Sequence, residues 1–215
     1  MAVWTISAQA GTGGDDLAAR LAVAAGVPLL DRKTLALFAH ALNPVVENGE
    51  ELEARVGGPL NLAALSMAMT TSSVDAFQEL QLRPTLPELG RAVVADAARY
   101  PCVILATAAF AALPEHPSAI HVRLRAPLDW RIASYRREHL VDRRCAEKAL
   151  KRSDHLSHTW VKTLYRLDCD DSRLFSVVLD ASRFSTDRLV EILLAAGAVR
   201  RVKVCCSRDD MAGVD

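Results

Sequence analysis

One stretch constrains the fold of this chain more than any other: Ile6-Ser7-Ala8-Gln9-Ala10-Gly11-Thr12-Gly13-Gly14-Asp15-Asp16-Leu17-Ala18. It follows the apolar run Val3–Ile6 and leads into a helical pattern with Leu17, Ala18, Leu21, Ala22 and Ala25 on one face. Strand, glycine-rich turn and helix, in that order, aim backbone N–H groups and a helix N-terminus at a phosphate. The phosphate-loop pattern G-x-x-x-x-G-K followed by Ser or Thr is not met, however. With Gly13 as its second glycine, position 8 is Ala, the lysine position is Gly14, and Asp15 follows. The dinucleotide pattern G-x-G-x-x-G fails too, because its third glycine falls on Asp16. A tight strand-to-helix turn with two aspartates complementing the helix dipole uses the same residues. Spacing alone leaves both readings open.

A length of 215 residues, 51% of them hydrophobic, suits one substantial domain or one domain with an inserted lobe. Only 5% are aromatic, so the packing must rest on Ala, Leu and Val. A net charge of zero argues against a general nucleic-acid or membrane-surface binder. No apolar run reaches the roughly 18–20 residues that span a bilayer, and the N-terminus enters a strand without the features of a leader. The expected address is cytoplasmic. Cys102, Cys145, Cys169, Cys205 and Cys206 form neither a C-x-x-C pair nor a metal-ligand spacing with histidine, so no metal site is assigned. Cys102 reads as core.

Further along, Gly26 reads as a helix cap and Val27–Asp31 as a second short strand. Asp31 either binds a ligand at that strand's end or caps a helix over Arg32–Leu42. Residues 43–75, broken by Asn43-Pro44 and Gly57-Gly58-Pro59, suggest irregular helices and a partner-facing segment. A helix is expected over Thr85–Arg99, a fully buried strand over Pro101–Ala106, and a strand over Ala119–Leu124. The last, with His121 and Arg123 alternating with apolar residues, is placed near an edge or cleft. Helices from Pro127 and from about Cys145 to Leu167 follow, then a strand at Ser176–Asp180 and a helix Thr186–Ala196 capped by Gly197. Short apolar strands alternating with helices call for a parallel sheet covered on both faces. The strand C-termini would then gather Gly11–Gly14, Asp31, Ala106–Ala108, Arg125 and Asp180–Arg183.

Between Arg131 and Arg152 stand eight Lys/Arg (131, 136, 137, 143, 144, 148, 151 and 152) against three acids. The segment thus carries +5 in a chain of net zero. Such a run is either a solvated helix face or a set of arginines that closes over phosphoryl groups.

At this point the chain resembles the cytidylate kinase-like family, a branch of the P-loop nucleoside monophosphate kinases. The resemblance rests on Ile6-Ser7, Gln9, Gly11 and Gly13-Gly14, on Pro28–Arg32, and on Cys102-Val103-Ile104. It continues with Ala126-Pro127-Leu128, Arg131-Ile132, Ser153-Asp154, and Val178 with Ser182-Arg183. It implies an α/β protein: a three-layer α/β/α P-loop kinase-like domain over 1–202, with a parallel sheet. Residues 43–84 would be an acceptor-side or partner-facing helical insertion, 131–154 a helical lid, and 203–215 a flexible tail. The activity implied is phosphoryl transfer from ATP, with Mg²⁺, to a nucleoside monophosphate or similar acceptor. Gly11, Thr12, Gly13, Gly14, Asp16 and Arg183 would bind the nucleotide. Arg131, Arg136, Arg137 and Arg152 would neutralise the transition state, and Asp31 and Asp154 would meet the acceptor.

The chain also departs from the family pattern. Ala8, Ala10, Asp15 and Asp16 replace an arginine, an aromatic residue and an Arg-Glu pair; Ala106-Thr107-Ala108 replaces Gly-Arg-Gly; His155–His158 replaces arginines. The changes from arginine remove positive charge from where a polyphosphate would lie. The alternative is therefore a catalytically degenerate kinase fold kept as a nucleotide- or anion-binding or assembly module. In either case the expected partner is a small anionic molecule, with a homodimer left open and no nucleic acid or membrane.

Overall fold

Two mostly apolar runs, Val3–Ile6 and Cys102–Leu105, set the middle of the sheet, because only a strand covered on both faces can bury nearly every side chain. The computed structural model describes residues 2–31, 34–35 and 86–199. Within them run β1 (Val3–Ala8), α1 (Gly14–Ala25), β2 (Leu29–Leu30), α2 (Leu86–Ala97), β3 (Cys102–Leu105), α3 (Ala109–Ala112) and β4 (Ala119–Arg125). They are followed by α4 (Leu128–His139), α5 (Arg143–Tyr165), a 3₁₀ turn (Ser172–Leu174), β5 (Val177–Asp180) and α6 (Thr186–Val199). The five strands are all parallel, in the order β2-β3-β1-β4-β5.

Alternation along β1 divides the core. Trp4 and Ile6 face α1 and α6, in a cluster with Leu17, Leu21, Leu189 and Leu193. Val3 faces the opposite way, against Val93, Val94 and Ala97 of α2. A third cluster, Phe110, Trp160, Val161 and Phe175, joins α3, α5 and the approach to β5. The α/β/α layering and the parallel sheet are as the sequence implies. Val3–Ile6 and Cys102–Leu105 are inner strands, and Cys102 is core. Gly26 closes α1 in the left-handed region, its N–H bonded to the carbonyls of Ala22 and Val23. Among the described residues no helix is long and apolar enough to cross a membrane.

Three expectations are corrected. Strand β4 lies between β1 and β5, not at an edge, and its polar residues are buried: His121 is bonded to Thr5 and to the Leu113 carbonyl, Arg123 to Ser7 and Asp170. Gly197 does not end α6, which continues through it to Val199. Between β3 and β4 the chain also forms α3, whose four residues are too few to show a helical period. The insertion over 43–84, most of the helix over Arg32–Leu42, and the tail lie outside the described residues.

Candidate functional site

The loop after β1 is held from below before it can hold anything above. The Gln9 N–H donates to the Leu124 carbonyl at 3.0 Å, and its side-chain Oε1 accepts from the Ala126 N–H at 3.3 Å. Thr12 is buried, and its hydroxyl donates to the Gln9 carbonyl at 2.6 Å. Gly11 takes φ +78°, and a Cβ there would stand 3.0 Å from the Arg131 carbonyl oxygen, so the position demands glycine twice over. The chain then enters α1 from Gly13, also left-handed, with the acids Asp15 and Asp16 in the first turn.

Above the loop lies a cleft of about 620 Å³. Gln9, Gly11, Gly13, Gly14, Asp15 and Asp16 form its floor. Asp31 and Thr107 line one side, and Tyr135, Glu138, His139, Ser153 and Ser157, from α4 and α5, close the other. Sequence reasoning named Gly11, Gly13, Gly14, Asp16 and Asp31 here, and the structure brings these together. Tyr135, Glu138 and His139 were missed, as were Ser153 and Ser157. Their spacings (i, i+3, i+4 and i, i+4) do mark one face of each helix, but no catalytic pattern drew attention to them.

The remaining site residues are placed elsewhere. Thr12 points into the loop's own base. Arg136, Arg137, Arg152 and Arg183 are exposed and do not line the cleft. Arg131 is buried and makes four hydrogen bonds: Nη1 and Nη2 donate to the two oxygens of Asp154 at 2.9 and 2.8 Å, Nε to the Ala126 carbonyl at 3.2 Å, and Nη1 also to the Ala10 carbonyl at 3.3 Å. The Arg131–Asp154 pair is thus a brace between α4, α5 and the glycine loop. Asp31 accepts from both the N–H and the hydroxyl of Thr34, so it caps the next helical turn while lining the cleft. At the end of β5, the Ser182 hydroxyl and N–H hold the Asp180 carboxyl below the usual carboxylate range.

The charge of the cleft is acidic. Asp15, Asp16, Asp31 and Glu138 line it, and among the described residues no Lys or Arg does. Asp16 is partly neutralised by Arg20, whose Nε lies 2.8 Å from Oδ1 and which also reaches Asp187. At the lysine position of a phosphate loop stands Gly14, where an added Cβ would fall 2.4 Å from the Ala8 Cβ. The Ala8 methyl occupies the space a side chain at 14 would need. A second cavity, apolar and about 550 Å³, lies at the other end of the sheet between Trp4, Pro28, Tyr100 and Leu194.

The model of a family described as the cytidylate kinase-like family matches residues 3–183. No curated protein matches the chain. Among solved structures, the chain is similar to a protein from Eubacterium ventriosum, with a TM-score of 0.66 and 16% identity over 92% of this chain and 98% of that one. A protein from Thermus thermophilus gives a TM-score of 0.51 at 20% identity, over 94% and 98%. A gluconokinase from Sinorhizobium meliloti gives 0.51 at 13%, over 92% of each. At these identities the likenesses speak to the fold.

Proposed function

Since the chain belongs to the cytidylate kinase-like family, we propose that it keeps the family's P-loop kinase scaffold as a binding module for a small phosphorylated ligand, with phosphoryl transfer lost or severely weakened. The loop's backbone has the elements of a phosphate site: two left-handed glycines and the start of a 12-residue helix at the floor of the cleft. The side chains offer a polyphosphate no cation, since among the described residues that line the cleft none is Lys or Arg. A charge-assisted hydrogen bond contributes about 1.5–3 kcal/mol, and the loop has no lysine to make one. Asp15 and Asp16 add negative charge in the first turn of α1, which disfavours a second anion there, although Arg20 offsets part of the charge of Asp16. The observation that carries the reading is the Ala8 methyl standing where a side chain at position 14 would begin.

A second reading, phosphoryl transfer from ATP to a nucleoside monophosphate, is favoured by one observation. The α4–α5 pair that carries exposed Arg136, Arg137 and Arg152 also supplies one wall of the cleft. This reading requires the pair to turn those arginines inward.

A coupled assay of ATP consumption with each nucleoside monophosphate in turn separates the two. A binding module should give no acceptor-dependent turnover above the protein-free rate. Turnover that is lost in an Arg136→Ala, Arg137→Ala variant would establish the second reading instead.

A further inference from the structure

On the face of β4 away from α1, three side chains that the cleft does not use converge. His158 Nε2 lies 3.2 Å from Asp170 Oδ2, and Cys169 Sγ joins them, with one ligand atom from each residue within 4.8 Å of the others. Sequence spacing hides this set, because His158 belongs to α5 while Cys169 and Asp170 lie in the segment between α5 and β5. We infer that His158, Cys169 and Asp170 form a binding site for a thiophilic divalent cation of the Zn²⁺ class, separate from the glycine-loop cleft.

Ligand chemistry comes first. Thiolate, imidazole and carboxylate together suit Zn²⁺ rather than the hard cations Mg²⁺ or Ca²⁺, which take oxygen. Metal–ligand bonds of about 2.0–2.3 Å place tetrahedral ligand atoms about 3.3–3.8 Å apart. The observed spread therefore closes with a shift of about 1 Å. His158 and Asp170 can make that shift, since their side chains are 41% and 53% exposed. Cys169, by contrast, is buried and fixed. Three protein ligands leave a fourth position toward solvent.

The surroundings are arranged as a ligand shell would require. Arg123, buried in β4, donates from Nη2 to Asp170 Oδ1 at 3.0 Å, which leaves Oδ2 turned toward His158. The same Nη2 lies 3.9 Å from Cys169 Sγ. Outer donors of this kind orient metal ligands and stabilise their anionic forms. Among the described residues Arg123 has one ion-pair partner, half-exposed Asp170, and its buried Nε has no hydrogen-bond partner. A thiolate beside it, formed when a cation displaces the Cys169 proton, supplies a second negative charge. Arg123 Nη1 donates to Ser7 at 3.0 Å, so a bound ion would stand one side chain away from the strand that carries the glycine loop.

The test is titration of the full chain, reduced and metal-free, with Co²⁺ as a spectroscopic probe and then with Zn²⁺ in competition. A Cys205→Ser, Cys206→Ser background removes the adjacent thiols of the tail. The expected result is one equivalent of Co²⁺ with a thiolate-to-cobalt charge-transfer band, displaced by Zn²⁺. That band should be lost in Cys169→Ser, with affinity at least tenfold lower in His158→Ala and Asp170→Asn, while Cys102→Ser and Cys145→Ser keep it. His158→Ala and Asp170→Asn alter exposed side chains, so they carry the test should Cys169→Ser fail to fold. Absence of a charge-transfer band in this background, or binding that both exposed-ligand variants leave unchanged, would overturn the inference.

Discussion

At the scale of single residues, the floor of the cleft turns on Ala8 and Gly14. Their Cβ positions exclude one another, since a Cβ on Gly14 would lie 2.4 Å from that of Ala8 and neither atom is the end of a flexible side chain. Gly14→Ala should therefore destabilise the protein by about 1–3 kcal/mol, the usual cost of overpacking. Adding Ala8→Gly should return most of it. Chemical denaturation of the two single variants and the double closes this cycle; additive effects would mean that the two positions do not compete. The same geometry bears on any attempt to restore the lysine: Gly14→Lys alone should cost stability without improving nucleotide binding. Arg131 is the other decisive residue. With its guanidinium on Asp154 and two backbone carbonyls, Arg131→Ala strands a largely buried carboxylate and should cost about 3–5 kcal/mol in urea unfolding. A loss under 1 kcal/mol would show that the brace is not structural.

At the scale of elements, α5 and α6 each carry a test. Helix α5 begins at Asp142, whose carboxylate accepts from the Cys145 N–H at 2.7 Å. That bond, above all, holds the Asp142 carboxyl below its ordinary range. A carboxylate with a depressed native pKa stabilises the fold above its unfolded pKa, and the contribution disappears as pH falls through the native value. Asp142→Ala should accordingly lower the melting temperature at neutral pH and converge with the wild type in acid; a constant difference across pH would contradict the cap. Helix α6 runs through Gly197, where an added Cβ would meet the Trp4 ring at 2.5 Å. The glycine costs helix propensity but admits the indole, whose Nε1–H donates to the Leu193 carbonyl. Gly197→Ala should thus destabilise by about 1–3 kcal/mol despite its better propensity, as measured by denaturant midpoint. These elements also show what the sequence could disclose. Apolar runs such as Val3–Ile6 and Cys102–Leu105 announced inner strands, and the 3.6-residue period announced α1, α5 and α6. Gly197 read as a stop signal because its partner, Trp4, lies at the far end of the sequence. His121 and Arg123 read as edge residues because Thr5, Ser7 and Asp170, which satisfy them, are remote along the chain. Likewise the pairing of Arg131 with Asp154, 23 residues on, has no signature in the local sequence.

At the scale of the whole molecule, the parallel sheet still delivers loop, strand ends and the α4–α5 pair to one cleft, as the fold requires. What has changed is the charge delivered there. The glycine turn and the parallel sheet follow from local pattern and were legible in the sequence, whereas the spatial order of the strands, with β4 between β1 and β5, was not. The acidity of the cleft was legible only in part, at Asp15, Asp16 and Asp31, because Glu138 and the outward turn of Arg136 and Arg137 depend on the phase of α4. On the proposed reading, this cleft does not support Mg²⁺-ATP. Isothermal titration calorimetry of Mg²⁺-ATP into the wild type and into an Ala8→Gly, Gly14→Lys, Asp15→Ser variant tests it directly. The wild type should give no saturable heat at millimolar nucleotide, and the triple variant should bind at least tenfold more tightly. Micromolar Mg²⁺-ATP binding by the wild type, weakened in the variant, would contradict it.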